Sequence, residues 1–445
     1  MSHYDDDVLS RFALDRSLVE DAESVAMHIE ECGLCRAQVE AFRDLDDVMR
    51  SADTWKQADA LMTRSARVDE ALALKARLDA EDRAAERRLA PVLVSPIHFR
   101  DADIAEKPWA QNAGVVRHLC AAAHRLHEQR PEFSLLLVRT AYAIAERLEN
   151  SPDVSRRFYL ALALREGANA CRYLGRFADA LKALSDAEKL FDENPASDPH
   201  DVAIVWFIRA TVFLELGQLD EGRSLARRAA SVLRHYGDDL RELGALLVEG
   251  SCLTLAGNNV EAITVYGKVA RHARSAGNRN ILGRALQNTG IAALNLKQFS
   301  RAEESYVEAL VLFDELGLVT EKARTEWSLA LVAVYRGELE KGVEQLSKAR
   351  GELRRLGLVN DHALATLDWA STRLALNESG GVAEACKEIM VRFESEGMMK
   401  NARFALAHVH EALARQTATP ALLRQVRAYL EDLPTRPERV FIPAR

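Results

Sequence analysis

Apolar positions along the chain recur at helical spacing almost throughout, with no stretch of strict alternation that would call for a strand. Val39, Phe42, Leu45, Val48 and Met49 make one apolar stripe, which predicts an amphipathic helix from Arg36 to about Ala52. Residues 57–90 are rich in Ala, Arg and Glu and lack Gly and Pro, the pattern of a long polar helix. Pro91, Pro96 and Pro108 then interrupt the periodicity, so residues 91–112 read as an irregular connection. Helical spacing resumes from about 113. Leu135–Leu148 predicts an early helix, 363–395 a later pair broken at 377–381, and two further helices run to about Leu433. The last twelve residues, 434–445, carry Pro434, Pro437 and Pro443 and read as an extended tail.

The central part repeats itself. Leu174-Gly175-Arg-Phe177-Ala-Asp-Ala180 is matched by Leu216-Gly217-Gln-Leu219-Asp-Glu-Gly222, and again around 257, 297 and 337. Those last four turn positions lie forty residues apart, and Gly175 precedes Gly217 by forty-two. A small residue stands seven before each turn (Ala168, Ala210, Gly250, Gly290, Ala330) and another five after it (Ala180, Gly222, Ala262, Ala302, Gly342). Small residues there allow two antiparallel helices to approach closely, while Phe177, Leu219, Phe299 and Leu339 wedge between them. This pattern resembles a tetratricopeptide array with a longer period than usual, over roughly residues 130–415. The resemblance implies an α-solenoid, with each helix longer by most of a turn.

The chemistry concentrates at the start of the chain. His28-Ile-Glu-Glu-Cys32-Gly-Leu-Cys35 is a His-x3-Cys-x2-Cys arrangement, and His3 lies twenty-five residues before it. Residues four apart on a helix share a face, so His28 and Cys32 can address one ion, and Gly33 is expected to let the chain bend so that Cys35 joins them. His3 is the natural fourth ligand of a tetrahedral zinc site. Asp5, Asp6 and Asp7 are harder donors and suit zinc less well. These residues resemble the zinc-binding anti-sigma domain of bacteria, over about residues 1–50. The resemblance implies a small zinc-stapled helical module that clamps an extracytoplasmic-function sigma factor. A zinc knuckle that only stabilises the module is the bland alternative.

Charge sharpens that reading. Residues 1–47 carry thirteen acidic residues against four arginines, about −9, whereas the whole chain carries −8. Such a module would repel nucleic acid and suit a basic protein surface. Asp44, Asp46 and Asp47 are the expected contact charges, and Phe42 is either the module's own core or a seat for the partner. Only six cysteines occur, and Cys120, Cys171, Cys252 and Cys386 sit singly in apolar segments as small buried hydrophobes rather than disulfide partners. The start is no signal peptide and no apolar run approaches a membrane span, so a cytoplasmic protein is expected.

No phosphate loop, nucleophile elbow or metalloprotease helix is present in the sequence. His118, His124 and His127 cluster, but only His124 and His127 share a face, and surface or partly buried histidines are the simpler reading. Projecting the repeat onto helices places Arg165, Asn169, Arg172, Arg324 and Trp327 on the wall of a groove lined by first helices. Arg165 and Asn169 begin like a carboxylate clamp, which fails at Ile208. The sequence therefore reads as an all-α, non-enzymatic regulator: a zinc module at 1–52, a helical linker and connection at 53–112, a repeat solenoid at 113–433, and a tail at 434–445. Its expected partners are proteins, with no direct nucleic-acid or membrane contact. Two alternatives stand beside a sigma-factor partner: a general adaptor, or the recognition subunit of a separately encoded protease or nuclease.

Overall fold

A computed structural model describes residues 3–50, 65–94, 99, 104–150, 155–194, 198–395, 400–433, 439 and 441–442. Among these residues the chain forms twenty α-helices and no strand. It divides into two compact units, residues 1–84 and 85–445.

The first unit opens with α1 (Asp6–Leu14), α2 (Ala22–Glu31) and α3 (Gly33–Arg50). Asp5 caps α1 by accepting from the Val8 amide at 2.9 Å, and Asp21 caps α2 through the Ser24 amide. Leu9, Phe12, Val25, Cys35 and Val39 form a small core where α1 and α2 meet α3. The α3 helix starts at Gly33, three residues before the sequence periodicity suggested, because the thiol-bearing turn itself is helical. Gly33, expected to let the chain bend, is instead the first residue of α3 and has no positive φ. Cys32, in an extended conformation with φ −107°, makes the bend instead. A further helix, α4 (Ser65–Leu89), covers most of the polar segment and its last five residues belong to the second unit, while residues 51–64 lie outside the described residues.

The second unit is a succession of antiparallel helical hairpins. They are α5 (Ala113–Leu126) with α6 (Pro131–Arg147), α7 (Arg156–Tyr173) with α8 (Phe177–Asp192), and α9 (Pro199–Glu215) with α10 (Leu219–His235). There follow α11 (Asp239–Leu255) with α12 (Asn259–Ser275), α13 (Arg279–Asn295) with α14 (Phe299–Glu315), and α15 (Val319–Arg336) with α16 (Leu339–Arg355). The array finishes with α17 (Val359–Ala375), α18 (Val382–Ser395), α19 (Lys400–Ala414) and α20 (Pro420–Asp432).

The regularity comes from how each helix stops. At Gly217 the chain turns left-handed (φ 71°), and the Gln218 and Gly217 amides bond back to the Phe213 and Leu214 carbonyls at 2.8 and 3.1 Å. This is the Schellman closure, which satisfies the carbonyls orphaned at a helix end. The same pair of bonds recurs at 237, 257, 277, 297, 317, 337 and 357. Gly237, Gly277, Gly317 and Gly357 thus form a second series, between hairpins, midway between the turns within hairpins.

Lys297 alone in this series is not glycine, and it holds φ 58°. A side chain there crowds the following carbonyl, at a cost of about 1 kcal/mol. Lys297→Gly is therefore expected to raise stability by a few tenths to about 1 kcal/mol, the gain being trimmed by the looser unfolded chain. Chemical denaturation at equal m-value checks it.

Close approach between helices rests on the small residues. Ala168, Ala210, Ala330, Ala180, Ala262 and Ala302 are all fully buried. A Cβ placed on Gly250 would meet the Tyr266 ring at 2.3 Å, and one on Gly290 would meet Tyr306 at 2.5 Å. The wedge residues Phe177, Leu219, Phe299 and Leu339 are half-buried at the starts of the second helices.

Both ends of the array are covered by chain from the same unit. Leu89, Phe99 and Ile104 join Leu119, Phe133 and Leu137 in one core, so the proline-rich stretch contributes packing beneath the first hairpin. At the other end α20 packs on α17. Phe441, expected in a free tail, is instead buried with its ring 5.2 Å from Tyr429, whose hydroxyl donates to the Arg439 carbonyl at 2.8 Å. Cys120, Cys171, Cys252 and Cys386 are buried free thiols. No helix among the described residues is long and apolar enough to cross a membrane.

Candidate metal centre and repeat wall

His3, just before α1, His28 in the last turn of α2, Cys32 at its end and Cys35 in the first turn of α3 converge. One donor atom from each lies within 4.8 Å of all the others. The His3 Nδ1 stands 3.4 Å from the Cys32 sulfur and 3.5 Å from that of Cys35. Sulfur and nitrogen donors about 2.3 and 2.0 Å from a tetrahedral ion would sit roughly 3.5 Å apart, so the spacing fits zinc. Tyr4 holds the edge of the His28 ring at 5.2 Å between centroids and anchors itself to Ser24 by a 3.1 Å hydrogen bond. The His28 Nε2 is buried and has no hydrogen-bond partner, which suits a nitrogen that ligates a cation.

The thiols differ. The Cys35 backbone amide lowers the pKa of Cys32, whereas burial raises that of Cys35. The competing carboxylates are engaged elsewhere: Asp5 caps α1, Asp6 accepts from Gln38, and Asp7 pairs with Arg11 at 2.6 Å.

Among the expected contact residues, Phe42 packs against the module's own core. Asp44 and Asp47 are exposed and Asp46 is half-buried. The Leu45, Val48 and Met49 side chains lie outside the described residues.

In the repeats, first helices of neighbouring hairpins touch one another, which puts α7, α9, α11, α13, α15 and α17 on the inner side. The wall residues expected there are present but already engaged. Arg165 is buried and pairs with both Glu166 (3.2 Å) and Asp201 (3.1 Å). Arg172 donates to Asn169 at 3.0 Å and pairs with Glu215, whose pKa burial raises. Arg324 pairs with Asp361 at 2.7 Å. Trp327 is half-buried between repeats, and its indole donates to Asp368 at 3.0 Å. These groups tie one repeat to the next. The remaining wall is mixed, with half-buried Phe207, Thr211, Leu247, Ser251 and Gln287, and with Ile291 37% exposed.

Sequence reading passed over the buried acids. Glu166, Glu242, Glu249 and Asp368 are each at least nine-tenths buried. Arg227 meets Glu249 at 2.5 Å, Arg234 meets Glu242 at 2.7 Å, and Arg427 meets Asp368 at 2.6 Å. An acidic residue amid the Ala-rich face of a first helix was the available signal.

The chain matches no protein-family model and no curated protein sequence. Solved structures do share its architecture. A signal-transduction ATPase with a tetratricopeptide repeat sensor from Pyrococcus horikoshii aligns over 97% of this chain and 63% of its own, at 14% identity and a TM-score of 0.53. The apo form of the quorum sensor NprR from B. thuringiensis aligns over 79% of this chain and 100% of its own, at 14% identity and a TM-score of 0.50. At such identity the likeness is one of fold, and the chain is an all-helical solenoid of tetratricopeptide type.

Proposed function

We propose that this chain is a non-enzymatic regulator whose repeat wall receives a peptide or protein segment and whose N-terminal module is stapled by zinc. The observation that carries the reading is the wall itself. Successive first helices present half-buried apolar and amide or hydroxyl side chains at one register, forty residues apart, from Phe207 through Leu247 and Gln287. Repeat solenoids use such extended surfaces to bind chain segments. The similar NprR is a quorum sensor, and the similar ATPase uses its repeats as a sensor, which supports a sensing or docking role here.

For the first unit, the zinc-motif resemblance and the exposed Asp44 and Asp47 favour a basic partner, with an extracytoplasmic-function sigma factor as the specific candidate. The test is capture by the intact chain from native lysate, with partners identified by mass spectrometry. Ile291→Arg should abolish capture of a wall-bound segment without changing the melting curve. Asp44→Lys with Asp47→Lys should weaken a basic partner, and added salt should do the same to the parent chain. Partners retained by both variants, and by the parent chain at every salt concentration, would sink both assignments. Recovery of basic proteins other than sigma factors would leave the regulator reading and remove the anti-sigma one.

A further inference from the structure

The first two hairpins of the second unit enclose a cluster that the proposed function does not use. His124 and His127 stand at the end of α5, and Glu166 reaches them from α7. One carboxylate oxygen, Oε2, lies 3.1 Å from the His124 Nδ1 and 3.1 Å from the His127 Nε2. The three donor atoms lie within 4.8 Å of one another. We propose that His124, His127 and Glu166 form a second metal site, which takes a zinc-like divalent cation and leaves one position to water on the solvent side.

Three features of the cluster support this. The first is spacing: nitrogen and oxygen donors about 2.0–2.1 Å from a tetrahedral ion are separated by roughly 3.3 Å, close to what is found.

The second is the tautomer of His127. Ser134 Oγ stands 3.0 Å from the Ala123 carbonyl, which can only accept, so the hydroxyl proton goes there. The His127 Nδ1, 2.7 Å from that same Oγ, is then the donor. This leaves the lone pair of Nε2 facing the carboxylate, an arrangement that a cation between them relieves. A hydroxyl fixing the far nitrogen is the usual support of a ligating imidazole. Tyr173 stacks on the same ring at 14°.

The third is charge. Arg165 is shared between Glu166 and Asp201, one cation for two carboxylates, so a buried negative charge is left over. Paired with the Arg165 guanidinium at 3.2 Å, the buried Glu166 offers a carboxylate donor. His127 and Glu166 are buried while the His124 side chain is 58% exposed, which gives an ion its path in. Two imidazoles and one carboxylate are a donor set that zinc accepts with an open position.

The test loads the full chain with zinc(II) or cobalt(II) alone, removes excess by dialysis, and reads metal content and the cobalt spectrum. The parent chain should hold two equivalents, and the cobalt form should show thiolate-to-metal charge transfer from the N-terminal site. His124→Ala changes an exposed side chain, so the fold should survive. It should lose one equivalent and keep the charge-transfer band. Glu166→Gln should lose the same equivalent, with helicity checked in parallel. A parent chain holding one equivalent with the thiolate band overturns this inference and leaves the N-terminal site standing. One equivalent without that band, lost in His124→Ala, does the reverse. Two equivalents retained in His124→Ala also overturn it.

Discussion

Chelation of the metalled protein, or Cys32→Ser with Cys35→Ser, is expected to unfold the N-terminal module and to leave the repeat helices intact. The reason is the size of the module's core. Leu9, Phe12, Val25, Cys35 and Val39 are its buried apolar residues among those described, and Cys35 is itself a candidate ligand. A core that small cannot offset the ordering of some fifty residues. Zinc bound to such a set contributes on the order of 10 kcal/mol, which is folding free energy when the site is absent from the unfolded chain. His28→Ala should act in the same direction, since it removes the donor whose Nε2 is otherwise buried and unpartnered. The measurements are elemental analysis and near-ultraviolet dichroism, together with the far-ultraviolet signal, which the repeats dominate. A double-serine variant that holds as much zinc as the parent chain, with its spectrum unchanged, would refute the four-ligand assignment.

The second large effect is expected at a glycine that precedes the wall residue Ile291 but packs against a ring of the next helix. Gly290→Ala should destabilise the second unit by about 2 kcal/mol, the middle of the range for overpacked cores. The added carbon would lie 2.5 Å from the Tyr306 ring, and Tyr306 is fully buried. A rigid ring with no exposed edge has nowhere to retreat, so the helices themselves must separate. Tyr306→Ala alone costs more, through the cavity it leaves. In the double variant the clash disappears, and the coupling should exceed about 1 kcal/mol. Additive losses would show that the helices accommodate the extra carbon elsewhere. Gly351, with no atom within 4 Å of an added Cβ, is the control position where alanine should be harmless or stabilising.

These two positions also show what could be read in advance. The seven-before and five-after residues were legible because packing leaves a composition trace at fixed spacing, and Gly250 against Tyr266 repeats Gly290 against Tyr306. The N-terminal donor set was legible because three of its four members lie within eight residues. Convergence of His3 was harder to foresee, since it depends on where α1 lies against α3. The second glycine series, at 237, 277, 317 and 357, falls between hairpins, midway between the turns inside them and so outside the register that those small residues mark. The role of Glu166 was hidden for a different reason. Its partners His124 and His127 lie about forty residues earlier, on another helix, and nothing in a linear motif joins them. The wall arginines lie on first helices, and their engagement by carboxylates one repeat away is a property of stacking. Sequence position alone does not disclose it.

The spacing of the helix stops has a consequence for how such a chain can change. From 217 to 357 a stop falls every twenty residues, each closed by the same pair of backbone bonds. Each hairpin in that span therefore occupies the same length of chain and offers its successor the same kind of face. Gain or loss of a whole forty-residue segment would return every later helix to an equivalent neighbour, with no loop to redesign. Gain or loss of a single helix would instead exchange inner faces for outer ones along everything that follows. Duplication in steps of two helices is then the cheap route to a longer or shorter array, and the reach of the wall becomes a quantity that recombination can tune without disturbing either end.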